Sequence, residues 1–198
     1  MVKLAIIYYS ATGTNYEMAK AAQEAASKQD AEVRLLRVAE LAPEKAIASN
    51  AAWKEHIEAA KDVPLATTDD LDWADAILFG TPTRFGNAAA PLRQFIDTTG
   101  GLWAKGKLAN KVVSAFTSAQ NPHGGQEATI LSLYTTFYHW GAIVVAPGYT
   151  DPLLFKAGGN PYGASATVGE KGHFDPIVLD AVKVQTKRMV DIAERLNK

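Results

Sequence analysis

Five short stretches of this chain are rich in branched and aromatic side chains, and helix-patterned segments separate them. Residues 3–9, Lys-Leu-Ala-Ile-Ile-Tyr-Tyr, are continuously apolar after the lysine; residues 32–38, 75–79, 111–116 and 141–146 follow. Runs of this kind suit strands of a parallel sheet covered on both faces. Between them, residues 16–29 are rich in Ala, Lys, Gln and Glu, which favour helix. Residues 91–98 open on a proline suited to a first helical turn, and residues 126–139 follow a glycine pair. Asp175-Pro176 caps and starts a last helix that runs to about Leu196. The alternation predicts an α/β fold, a doubly wound five-stranded parallel sheet with helices on both faces.

Two connections are long for such a fold. Residues 39–72 must carry structure of their own, and a helix is expected over 43–61, with Ile47, Trp53 and Ile57 on it. The run Asp69, Asp70, Asp72 reads as a solvated turn. Residues 149–174 are rich in Gly and Pro and read as a working loop. At 198 residues, one domain spanning 1–198 is expected.

Charge and composition narrow the function. With 20 Lys plus Arg against 21 Asp plus Glu, the net charge is −1. That gives neither the basic footprint of a nucleic-acid binder nor the acidic surface of a protein-docking electron carrier. The chain has no cysteine, so thiol catalysis, cysteine-bound zinc and iron–sulfur clusters are out, and a reducing compartment fits. No stretch approaches the ~20 apolar residues of a membrane span, and a cytoplasmic protein is expected. His56, His123, His139 and His173 have no metal-ligand spacing, and no metal site is expected. A Ser-nucleophile elbow and an acidic phosphoacceptor cluster are also missing.

In open α/β sheets, ligands bind beyond the C-terminal strand ends. After the first strand comes Ser10-Ala11-Thr12-Gly13-Thr14-Asn15, leading straight into a helix. Three hydroxyls, one side-chain amide and the free N–H groups of a helix start can cradle a phosphate without a cation; the same residues also suit an ordinary capped turn. After the third strand comes Gly80-Thr-Pro82-Thr83-Arg84-Phe85-Gly86-Asn87, with one cation and one flat apolar ring. After the fourth comes Thr117-Ser118-Ala119-Gln120-Asn121-Pro-His-Gly124-Gly125. Three such loops meeting at one crevice suggest a mononucleotide, its phosphate on the first loop and its ring between the other two.

The same residues carry a resemblance. Tyr8-x-Ser10-x-x-Gly13 resembles the flavodoxin phosphate-loop signature, with Asn15 where a Thr is usual. Gly80–Asn87, Thr99-Gly-Gly-Leu-Trp103, Gly124-Gly-Gln-Glu127 and Pro161-Tyr-Gly163 together resemble the WrbA family of NAD(P)H:quinone oxidoreductases over about residues 3–197. The resemblance implies a flavodoxin-like fold with strand order 2-1-3-4-5 and an inserted helical segment around 40–72. It also implies bound FMN, NADH or NADPH as co-substrate, two-electron quinone reduction and a homotetramer.

By the same resemblance, Ser10, Ala11, Thr12, Gly13, Thr14 and Asn15 hold the ribityl phosphate. Pro82, Thr83, Arg84, Phe85, Gly86 and Asn87 line the isoalloxazine, and Ser118, Ala119, Gln120, Asn121 and Gly124 cover its other edge. His139 belongs to the flavin pocket, and Trp103, Phe85 and Thr12 wall the substrate space. His139 and Arg84 are the expected catalytic residues: the imidazole as hydrogen-bond partner of the quinone or as proton donor, the guanidinium as a positive charge at the pyrimidine end of the ring. The chain departs from the family at Thr12, where an aromatic residue can stand, at Trp140, where a second histidine can, and in the 118–124 loop, which is poorer in Gly and Thr and one residue longer. The expected mechanism is ping-pong, with the cofactor doing the redox chemistry. The competing class is a flavodoxin-type one-electron carrier, which the near-neutral charge disfavours.

Overall fold

The computed structural model describes residues 1–169 and 172–198. In chain order these form β1 (Lys3–Tyr8), α1 (Thr14–Ser27), β2 (Glu32–Arg37), α2 (Glu44–Ala48), α3 (Ala51–Ala59) and α4 (Thr68–Trp73). Next come β3 (Ala76–Arg84), β4 (Asn87–Ala88), α5 (Ala90–Asp97), α6 (Gly100–Ala104), β5 (Val112–Ala119) and α7 (Gln126–His139). The chain ends with β6 (Ile143–Val144), α8 (Leu153–Lys156), β7 (Ser165–Thr167) and α9 (Ile177–Leu196). The parallel sheet runs β2-β1-β3-β5-β6, which is the expected 2-1-3-4-5 order once the short β4, antiparallel to β3, is set aside.

Period-two alternation sends the strand side chains into two separate cores. Ala5, Ile7, Ile77, Phe79, Val113 and Ala115 face a cluster closed by Leu92 of α5 and by Leu133 and Phe137 of α7. Leu4, Ile6, Ala76, Leu78, Val112 and Phe116 face one closed by Met18 and Ala22 of α1 and by Val182 and Met189 of α9. This is why the runs read as continuously apolar. Gln185, 1% exposed, donates to Ser114 Oγ at 2.7 Å and to the Ala115 carbonyl at 2.9 Å, and accepts from the Ala164 N–H at 2.8 Å. It ties α9 to β5 and to the segment that enters β7.

The structure departs from the sequence reading in four places. First, β3 and β5 run on through residues expected in loops, because Thr81↔Thr117 and Pro82↔Ser118 stay paired. Second, the fifth strand shrinks to Ile143–Val144, since β7, from the segment read as a loop, pairs with the upper half of β5 at Thr117–Ala119. Third, the helix expected over 43–61 is broken at Asn50, whose side chain accepts from the Trp53 N–H at 3.1 Å and starts α3 afresh. A polar side chain that satisfies a first-turn N–H favours a cap over a helix interior.

Fourth, the acidic run 69–72 is α4, not a solvated turn. Asp70 is 8% exposed and closes a capping box with Thr67, accepting from its N–H at 2.9 Å, its hydroxyl at 2.8 Å and the Arg34 guanidinium at 2.9 Å. Burial alone would raise this carboxyl, but the Thr67 and Arg34 hydrogen bonds outweigh it and hold it below its ordinary value. Asp70→Ala is expected to cost about 2 kcal/mol at neutral pH. The wild-type advantage is complete above the ordinary carboxylate pKa of about 3.9 and disappears as pH falls through the lower folded-state value. Urea denaturation of both proteins across pH 2–7 measures the difference.

Candidate functional site

The C-terminal ends of β1, β3 and β5 open onto one cleft of about 750 Å³, within the usual range for a small-molecule site. One wall is the turn from β1 into α1. Its pivot, Gly13, is the cap of α1 with φ +100°, a left-handed conformation that glycine adopts without penalty. The Gly13 N–H donates to Ser10 Oγ at 3.0 Å, leaving the Ser10 hydroxyl proton free to donate. The first helical bond is Glu17 N–H to Gly13 O, so the N–H groups of Thr14, Asn15 and Tyr16 have no partner within the helix. No lysine or arginine stands on this turn.

Asn15, 1% exposed, donates from its amide to Ser118 Oγ at 2.9 Å and so joins the β1 turn to the end of β5. Its Oδ1 is buried without a partner. An orphaned polar atom of this kind beside a cleft signals a ligand group or water that satisfies it.

The second wall is the hairpin between β3 and β4. Phe85 (φ +54°) and Gly86 (φ +78°) are its two central residues, the dihedral signature of a type I′ turn. Phe85 is fully exposed at 102%. A bulky, solvent-facing residue in the left-handed region is uncommon, and such strain is concentrated at functional sites. Arg84 lies on the cleft side and is held by a bond to the Thr83 carbonyl at 3.0 Å. The Asn87 amide folds back on the Phe85 carbonyl at 3.4 Å.

The third wall is the loop after β5. Asn121 organises it, accepting from the His123 N–H at 3.0 Å and, at its carbonyl, from Gly124 N–H at 3.1 Å and the Gln126 amide at 2.8 Å. The hairpin leans directly on this loop, because a Cβ on Gly125 (φ +92°) would lie 2.8 Å from Gly86 Cα. The floor beside it is extended by β7 and the residues after it, where Val168 N–H donates to Ala119 O at 2.7 Å.

Of the residues singled out in sequence, Ser10, Ala11, Thr12, Thr14, Asn15, Pro82, Thr83, Arg84, Phe85, Ser118, Ala119, Gln120, Asn121 and Gly124 line the cleft together. Gly13, Gly86 and Asn87 shape its turns without lining it. His139 and Trp103 do not reach it. His139 is the last residue of the 14-residue α7, about 20 Å along the helix from the cleft; Trp103 donates from its indole to the His139 carbonyl at 2.9 Å, and both are exposed.

Sequence reasoning missed the wall from the insertion. Asn50, Ala52 and Trp53 of the α3 segment line the cleft, as do Val168, Gly169 and Gly172. Trp53 is fixed by Glu40, which accepts from its indole N–H at 3.0 Å, from Tyr9 OH at 3.0 Å and from the Leu41 and Ala42 N–H groups at 2.8 Å each. Burial, then the Glu40 charge, raises the Tyr9 phenol, so it stays a donor. Trp53 in the apolar stripe of a helix gave no sign of facing a ligand.

The residues fit a mononucleotide with a neutral phosphate cradle. Ser10, Thr12 and Thr14 offer hydroxyls, the α1 start offers N–H groups, and the hairpin and the β5 loop bound a slot for a planar ring. Residues 2–150 match the family described as NADPH-dependent FMN reductase. The chain is 54% identical over 198 residues to a protein of Deinococcus radiodurans named NAD(P)H dehydrogenase (quinone), covering 98% of this chain and 97% of that one. A protein of the same name from Aromatoleum aromaticum is 44% identical over 202 residues, covering 98% and 97%. Among solved structures, a flavodoxin, WrbA-like protein from Agrobacterium tumefaciens matches with TM-score 0.68 at 20% identity over 98% of this chain and 99% of that one. Flavodoxin 2 from Bacillus cereus matches with TM-score 0.64 at 15% identity over 96% and 99%. The last two establish a flavodoxin-like fold.

Phe85→Asn is expected to stabilise the protein by about 0.5–1 kcal/mol, since the exposed ring contributes no packing and Asn tolerates the left-handed region. Gly125→Ala is expected to cost about 2 kcal/mol through strain and the clash with the hairpin. Thermal unfolding of both variants reads the opposite signs.

Proposed function

The chain belongs to the NADPH-dependent FMN reductase family, and on that premise we propose that it is an FMN-dependent NAD(P)H:quinone oxidoreductase. The observation that carries this reading is the uncharged hydroxyl and N–H cradle at Ser10–Asn15, opening onto a slot bounded by the β3–β4 hairpin and the β5 loop. Bound FMN supplies the chemistry of accepting a hydride and passing two electrons on. The chain's own residues bind, orient and set charge. Ser10, Thr12, Thr14 and the first N–H groups of α1 hold the phosphate, and the Asn15 amide, able to present either end, meets it or the ribityl chain. Pro82 to Asn87 and Ser118 to Gly124 flank the ring. Arg84 places a positive charge beside the ring and favours the electron-rich state.

NADH or NADPH and the quinone occupy one open place in turn, in a ping-pong order, with the exposed Phe85 ring as a wall for flat substrates and Thr12 leaving room beside it. His139 and Trp103 stand far from the cleft of their own chain, so their part in a flavin pocket requires a second copy. A homotetramer in which neighbours complete each site is carried over from the family resemblance alone. The reading carries with it a cytoplasmic location. No helix among the described residues is long and apolar enough to cross a membrane.

The visible spectrum tests the cofactor: the purified protein, or the protein given excess FMN, is expected to show flavin bands near ~450 nm from a cofactor that does the chemistry itself. A chain that stays colourless overturns the reading. Initial rates at varied NAD(P)H and benzoquinone are expected to give parallel double-reciprocal lines; intersecting lines overturn the ping-pong order. Arg84→Ala is expected to lower turnover by about tenfold or more with the flavin still bound, and unchanged turnover removes Arg84 from the mechanism.

A further inference from the structure

Among the described residues, the phosphate cradle has no cation of its own, yet one titratable side chain is packed against its back. His56 is the one buried residue of α3, 8% exposed, and its Nδ1 lies 3.8 Å from where a Cβ on Gly13 would be. Its ring packs on Tyr16 of α1 with centroids 5.5 Å apart. It lines a small hollow of about 40 Å³ shared with Ser10, Tyr8, Arg37 and Glu40. Gly13 and Ser10 are the residues around which the turn is built, so the imidazole backs directly onto the turn proposed to hold the phosphate.

We infer that His56 is the reserve cation of this cradle, neutral while the cradle is empty and protonated when a phosphomonoester dianion enters it. The proposal rests on reading the cleft as an FMN site and goes beyond it by giving the inserted helix a role in holding the phosphate.

The surroundings of His56 explain why the charge is withheld until then. Burial disfavours the imidazolium first, and the Arg37 guanidinium at the end of β2 adds to this. The Ser10 backbone and the Glu40 carboxylate work the other way, and Lys20 of α1 again disfavours the charge. Among the described residues, Tyr16 of α1, in ring contact with it, and Tyr8 and Tyr9 at the end of β1 are the phenols around it, and those of Tyr8 and Tyr9 are raised, chiefly by burial. Among the described residues, neither of these two cations substitutes for His56. Arg37 is committed to the Val63 carbonyl at 3.0 Å, and Lys20 lies over the Tyr16 ring, 4.6 Å from its centroid. The Glu40 carboxylate is shared among Tyr9, Trp53 and two backbone N–H groups. A dianion on the far side of Gly13 is therefore the charge that reverses the balance at the imidazole.

The test uses the full-length protein freed of cofactor, with FMN and riboflavin as paired ligands. Riboflavin carries the same ring and no phosphate. The ring signals of His56, assigned by their loss in His56→Gln, are followed by NMR across pH 5–8.5. FMN is expected to raise the His56 titration midpoint by about one pH unit, at the low end of what a nearby opposite charge produces, and riboflavin to leave it in place. In calorimetry at pH 6, in buffers of different ionisation heat, wild type is expected to take up more protons per FMN bound than His56→Gln. The FMN-to-riboflavin affinity ratio of wild type is expected to exceed that of the variant by about threefold to tenfold at pH 6, tenfold being the full effect on binding of a midpoint displaced by one pH unit. The two ratios are expected to match at pH 8.5, where the imidazole is neutral with and without FMN. A midpoint moved equally by FMN and riboflavin, or equal proton counts in the two proteins, overturns the inference. Failure of FMN to bind wild type at all overturns the reading of the site instead. If His56→Gln does not fold, His56→Asn supplies the assignment and the comparison.

Discussion

A parallel sheet buried on both faces is the constraint from which the rest of this molecule follows. Its strands give their side chains to two opposed cores, so neither face can carry a polar site. Chemistry is confined to the strand ends. Because β1, β3 and β5 are adjacent and parallel, their C-terminal turns emerge side by side. Three segments far apart in sequence become the three walls of one cleft.

Close packing then makes the cleft rigid. Gly125 against Gly86, and Asn15 bonded to Ser118, lock the walls to one another. Rigidity lets the hairpin hold Phe85 in a backbone conformation its side chain disfavours. The same rigidity suits a cofactor that must be held by many modest hydrogen bonds. A cradle built from hydroxyls and N–H groups gains its strength from preorganisation, because the turn and the helix start fix where its donors stand before an anion arrives.

The insertion between β2 and β3 adds an element that such a sheet does not require. Asn50 starts α3, Glu40 pins Trp53 to the cleft, and His56 sits behind Gly13. All three depend on one helix turning a single face inward. The cleft is thus a two-sided structure, with the sheet ends below and the inserted helix against the β1–α1 turn.

How much of this was legible in the sequence depends on the range of the interactions. The apolar runs determined the strands and their two-sided burial, since period and hydrophobicity are local properties. Ser10–Asn15 and Gly80–Asn87 were readable as turns that open onto one cleft because turn chemistry and helix starts are local too. Tertiary structure alone decided what depends on distant partners. β7 became a strand because the upper half of β5 offered it an unpaired edge. Asp70 became a buried cap because Arg34 lies across from it on β2. Trp53 and His56 acquired their places because α3 folds back over a turn some forty residues earlier, and no local pattern records which face of a short helix will meet a ligand. For the same reason His139 and Trp103, near the cleft loops in motif but far from them in space, could be placed only by the length and direction of α7.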